Sequence, residues 1–134
     1  MRRRAEDDGG SIVPFTVALA AALVACAGLA VDGGRILAAR REAASLAAAA
    51  ARRGSQEISW DALVAGRSAI DPTRAEAAAG TVLARAGAEG ELVASADSIA
   101  VTVRRRQSTV VLGAFGIGPT TVTATRAARP LAGG

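Results

Sequence analysis

The chain has no histidine, no tyrosine and no lysine, and its one cysteine, Cys26, lies inside an uncharged apolar stretch. Nucleophilic, redox and metal sites draw mainly on those residue types, so the sequence argues against an enzyme and implies no catalytic residue, cofactor or metal. A lone cysteine forms no internal disulfide, so cysteine usage leaves the redox compartment unread and topology must supply the location. Aromatic residues are equally scarce: only Trp60, Phe15 and Phe115. Without stacking platforms, the pI of about 11.2 reflects an all-arginine set of basic residues, and neither a nucleic-acid partner nor a small-molecule substrate is expected.

What the sequence does have is one long apolar run. Ile12 to Val31 is twenty residues without a charge. At about 1.5 Å per residue that is roughly 30 Å of helix, the thickness of a bilayer's hydrocarbon core. Ser11 suits the N-cap, and Pro14 then falls in the first turn, where backbone donors have no intrahelical partner. The expected organisation is a cytoplasmic tail over 1–11 and a transmembrane helix over 12–31. A continuing amphipathic helix over 32–54 and a small extracytoplasmic α+β domain over 55–134 follow. Flanking charge decides orientation only narrowly: Arg2, Arg3 and Arg4 stand on one side, Arg35, Arg40 and Arg41 on the other. The leading cluster favours the tail inside and the C-terminal part outside.

Past the potential hinge Gly33-Gly34, Ile36, Ala39, Ala43, Leu46 and Ala50 recur at spacings of three and four, which predicts that the helix continues amphipathically until Gly54-Ser55. Residues 55 to 70 read as a loop or short helical turn in which Trp60 anchors to the core. Asp71-Pro72 is a cap and first-position pair for a second helix, Pro72 to Ala86, with Ala75, Ala78, Ala79, Val82, Leu83 and Ala86 on one face. From Glu91 the period becomes two. Leu92, Ala94 and Ala96, then Ile99, Val101 and Val103, predict an antiparallel hairpin turning at Asp97. Thr109 to Leu112 and Thr120 to Thr125 are expected as third and fourth strands, joined by a glycine-rich segment.

Further patterns bear on function. Ala18, Ala22, Cys26, Ala30 and Gly34 recur every fourth residue, a small-residue face on which another helix can approach closely. Leu23-Val24-Ala25-Cys26 also reads as a lipobox, with Cys26 as the lipidation site, and Ala25-Cys26-Ala27 satisfies a signal-peptidase rule. Both support an alternative in which the chain is a lipoprotein or secreted envelope protein cleaved near Cys26. Asp32 reads as the membrane boundary, and Arg104, Arg105 and Arg106 as a solvated strand end or a contact for lipid phosphates or another polyanion.

Residues 9 to 54 resemble the N-terminal region of Tad/Flp pilus-assembly proteins of the TadE/TadG type. The resemblance rests on Gly28, Leu29, Ala30, Val31, Asp32, Gly33, Gly34 and Arg35, followed by Ala-Ala-Arg-Arg and an alanine-rich helix. Val122 to Pro130 is similar to the strand near which such proteins end. The likeness implies a pilin-like fold: a membrane helix running into an amphipathic one beneath a small α+β domain. It implies a structural role as a minor pilin or assembly component, with membrane lipid and other pilin or Tad proteins as hetero-oligomeric partners, and adhesion as a further role. Processed members carry Glu five positions after the cleavage-site Gly. Here Phe15 follows Gly10 at that distance, so the resemblance leans toward the anchored TadG-like branch.

Overall fold

The computed structural model describes residues 12–108, 111–114, 116 and 118–130. The tail over 1–11, the cap at Ser11 and the Thr109 end of the expected third strand lie outside them.

The fold is α+β. Its spine is helix α1, Ile12–Ser55, 44 residues long and thus roughly 66 Å. No break occurs at Gly33-Gly34. The helix has two distinct halves. From Ile12 to Ala27 every residue is exposed. From Gly28 upward one face is covered: Gly28 and Ile36 are half-buried, and Asp32, Ala39, Ala43, Ala47, Ala50 and Gly54 are buried. Steps of three and four keep these positions on one stripe, as the sequence pattern expects.

Two short helices follow. In α2, Trp60–Val64, the Ser59 hydroxyl accepts from the Ala62 amide at 3.4 Å. In α3, Pro72–Arg85, Asp71 Oδ1 accepts from the Arg74 amide at 3.1 Å and Pro72 occupies the first turn. Gly87, with φ of 60°, ends α3 in a Schellman turn: Ala88 N–H donates to the Leu83 carbonyl and Gly87 N–H to that of Ala84, both at 3.0 Å. Strands β1, Glu89–Ala94, and β2, Ile99–Gln107, form the expected hairpin, with Ser95 to Ser98 as the turn and Ala96 outside the strands. Then come α4, Val111–Ala114, and β3, Thr120–Ala128. The sheet is antiparallel in the order β1-β2-β3.

Two expectations are corrected. Val111 and Leu112 belong to α4 rather than to a third strand, so the sheet has three strands. An apolar run of four residues fits either period, and the glycines after it supply turn geometry rather than a ladder partner. Trp60 is 72% exposed and anchors nothing. In a helix of five residues one position faces inward, and Ala62 takes it.

The core lies between α1, α3 and one face of the sheet. Ala43, Ala47, Ala50, Ala51, Ala75 and Ala79 bring the helices close, and Ile70, Leu83, Ile99, Val101 and Val103 supply the volume. Each of these larger side chains contributes about 1.5–3 kcal/mol of transfer free energy when fully buried. The strand alternation is maintained: Ile99, Val101 and Val103 point inward, while Arg104 and Arg106 are exposed. Further ties close the domain. The Ala94 amide donates to Glu76 Oε1 at 3.0 Å, and the Ile70 amide donates to the Ala96 carbonyl at 2.8 Å.

Candidate functional site

The other described residues leave the lower half of α1 bare. It is long and apolar enough to cross a membrane, and its most apolar window has none of its residues buried against the domain. A core helix of a soluble protein would be covered on at least one face, because exposed apolar area of this extent is costly in water. Ile12, Val13, Phe15, Val17, Leu19, Leu23, Val24, Leu29 and Val31 all stand open.

The small-residue positions Ala18, Ala22, Cys26, Ala30 and Gly34 are all exposed. They spiral around the helix rather than share one face: Ala18 and Ala22 lie about 40° and 80° from Asp32, toward the azimuth of the covered stripe. At roughly 100° per residue, Cys26, Ala30 and Gly34 lie about 120–160° around the helix from Asp32. One side of the rod is thus taken by the chain's own fold, and the side bearing these three residues is open to another helix. The Cys26 thiol is exposed on that open side.

The residues of the Gly28–Arg35 motif divide in the same way. Leu29, Gly33, Gly34 and Arg35 are exposed, whereas Gly28 is half-buried and Asp32 is 1% exposed. Asp32 is the sole buried charged residue among those described. Sequence reasoning placed it at a boundary and missed its burial. The available signal was its spacing: Gly28, Asp32, Ile36 and Ala39 continue the inward stripe of the upper helix downward without a gap.

The arginine run is split by the strand pleat. Arg105 lies on the inward side and its Nη2 pairs with Glu42 Oε1 on α1 at 3.1 Å. Arg104 and Arg106 lie on the outer face, where Arg104 Nη2 sits 3.4 Å from Glu91 Oε2. All three line an open cleft of about 530 Å³ with Glu89, Gly87 and Thr121. At the far end of the rod, Glu57 receives Arg53 Nη1 at 2.6 Å and Arg74 Nη2 at 2.9 Å, which ties the top of α1 to the start of α3. Beside that junction, Trp60, Leu63 and Val64 form an exposed apolar patch on α2. Among the described residues no three His, Cys, Asp or Glu side chains gather as metal ligands.

Set against protein-family models, characterised proteins and solved structures, the chain matches none of them.

Proposed function

We propose that this chain is a membrane-anchored minor pilin or pilus-assembly component of a Tad/Flp-type system, acting by helix packing rather than chemistry. Ile12 to Val31 crosses the cell membrane, with the N-terminus cytoplasmic and the small α+β domain outside. The observation that carries the reading is the division of α1 into a bare apolar half and a half packed beneath a sheet, within one unbroken helix. A simple tether has no need for that continuity. A subunit that packs its helix among others does, because a rigid rod fixes the domain's position relative to the shared bundle.

In this reading the open face with Cys26, Ala30 and Gly34 meets the helices of neighbouring pilus proteins, and the resemblance over residues 9 to 54 names their class. Photo-crosslinking from position 30 in the native host, with mass spectrometry of the captured proteins, tests it directly. Capture of pilin or Tad assembly proteins supports the proposal. Capture of none, with piliation unchanged on deletion of the gene, overturns it. The alternative, a lipoprotein or secreted protein processed at Cys26, predicts a mature N-terminus at Cys26 or Ala27, which intact-mass measurement reads in the same samples.

A further inference from the structure

One edge of the sheet is closed and the other is open. Glu91 lies opposite Thr102, and the Thr102 carbonyl oxygen stands 2.6 Å from a β-carbon built on Gly90, so Thr102 aims its backbone groups at β1. Such groups alternate sides along a strand, which leaves those of Gly90, Leu92 and Ala94 facing outward from β1. There Glu76 of α3 takes the Ala94 amide at 3.0 Å, and α3 packs along the strand.

β3 has no such guard. Thr125 lies opposite Thr102, whose backbone groups are already turned to β1, so Thr125 turns its own away from the sheet, and by alternation Thr121, Thr123 and Ala127 do the same. In keeping with this, the Thr125 carbonyl accepts from Arg126 Nη1 at 2.8 Å. Among the described residues no backbone group bonds to these four on the outer side. Proteins blunt such edges with bulges, proline or charge. Here the register to β2 is unbroken over nine residues, and the one charge on the strand, Arg126, makes only that local, exposed contact.

The upper end of the edge is basic. β2 descends the rod, since Ile99 meets Gly54 near the top of α1 and Arg105 pairs with Glu42 further down; β3 therefore ascends. At its end Ala128 and Arg129 share a cleft of about 410 Å³ with Arg52, Ser55, Gln56 and Ile58. Half-buried Ile58 and Ala128 are its apolar part, and Arg52 and Arg129 its exposed cations. Among the described residues Arg52, Arg126 and Arg129 form no ion pair, and Glu57, close by in sequence, is engaged by Arg53 and Arg74.

An open row of N–H and C=O groups is completed by an extended backbone, and unpaired guanidinium groups by carboxylates. A second copy fits poorly. Antiparallel pairing of β3 with β3 would point the two rods in opposite directions, which helices anchored from the same side of one membrane do not allow. Parallel pairing with β1 of a neighbour would have to displace Glu76. We propose that β3 takes an added strand from another protein, an extended acidic segment whose carboxylates meet Arg52 and Arg129 at the cleft. The incoming strand displaces Arg126 from the Thr125 carbonyl. The inference rests on the reading of Ile12 to Val31 as a membrane span where it excludes a second copy.

The test uses the full chain in nanodiscs and a fluorescein-labelled peptide, Thr-Val-Glu-Val-Thr-Glu-Val-Thr. Anisotropy is expected to show saturable binding below about 1 mM. At saturation the amides of Thr121, Thr123, Thr125 and Ala127 should exchange about tenfold more slowly, while those of Gly90 and Leu92 stay unchanged. Arg129→Glu is expected to weaken binding about tenfold with the far-ultraviolet dichroism unchanged. Methylating alternate peptide nitrogens on the pairing side should abolish it. No saturable binding up to about 1 mM overturns the site. Equal binding of the methylated peptide overturns strand addition, since charge alone then holds it, and equal binding by Arg129→Glu overturns the acidic partner. Slow exchange at the four amides that grows with protein concentration in the absence of peptide assigns the edge to a second copy, and the proposal falls. A membrane-impermeant maleimide applied to Cys26 in the same nanodiscs reads the span by itself: labelling there removes the span and leaves the result at the edge standing.

Discussion

Ile99 fills the space that a side chain on Gly54 would need. A β-carbon added there would stand 2.5 Å from Ile99 Cδ1 and 2.9 Å from the Ala75 carbonyl oxygen. α1, α3 and β2 meet at this point, and the last turn of the long helix passes the sheet only because residue 54 has no side chain. Gly54→Ala is therefore expected to destabilise the domain by about 1–3 kcal/mol, despite alanine's better helix propensity. Thermal unfolding of the detergent-solubilised chain reads the effect, and an unchanged midpoint would show that the three elements can separate at no cost.

Gly33 and Gly34 predict the opposite sign. An added β-carbon at either position meets nothing within 4 Å, and both residues are already helical. Gly33→Ala and Gly34→Ala are each expected to stabilise α1 by roughly 0.5–1 kcal/mol, measured as slower amide exchange across residues 30–38. Unchanged exchange would show that the glycine pair costs the helix nothing.

Glu57 joins two helices through one carboxylate whose side chain is 14% exposed, although both arginine partners are largely solvated. Glu57→Gln should cost about 1 kcal/mol, a modest loss because solvent screens the guanidinium ends. The cost should shrink in molar salt. A double-mutant cycle with Arg74→Ala measures the share carried by the link between the helices.

Ala22→Leu and Ala30→Leu enlarge exposed positions on the bare half of α1. Unfolding of the isolated chain should shift by no more than about 0.5 kcal/mol. On the proposed packing role, recovery of the helix partners captured by crosslinking should fall severalfold, since a bulky side chain holds two helix backbones apart. Equal recovery would mean that these residues do not form the packing face.

Much of this was legible in local pattern. The long helix, its inward stripe through Ala39, Ala43 and Ala50, the capped start of α3 at Asp71-Pro72 and the hairpin about Asp97 all follow from spacing and cap chemistry within a few residues. What escaped depends on distant closure. Asp32 continues the inward stripe through Gly28, Ile36 and Ala39, but spacing alone does not say how far down the helix that stripe is covered. Trp60 misled for a related reason: size argues for burial, but a helix of five residues offers one inward position and alanine holds it. Val111 and Leu112 have the composition of a strand, yet they fall in α4, since an apolar run this short fits either period.

The exposure of Trp60 makes the protein its own spectroscopic probe. With no tyrosine in the chain, excitation at the red edge of the protein band reaches one indole, at the pole of the domain farthest from the bare half of α1. Any molecule that settles on Trp60, Leu63 and Val64 dehydrates that ring and shifts its emission to the blue. Events along the apolar helix leave it unaltered. The two ends of the molecule can thus be followed separately in an unlabelled chain, the distal one by fluorescence and the lower one by the chemistry of Cys26.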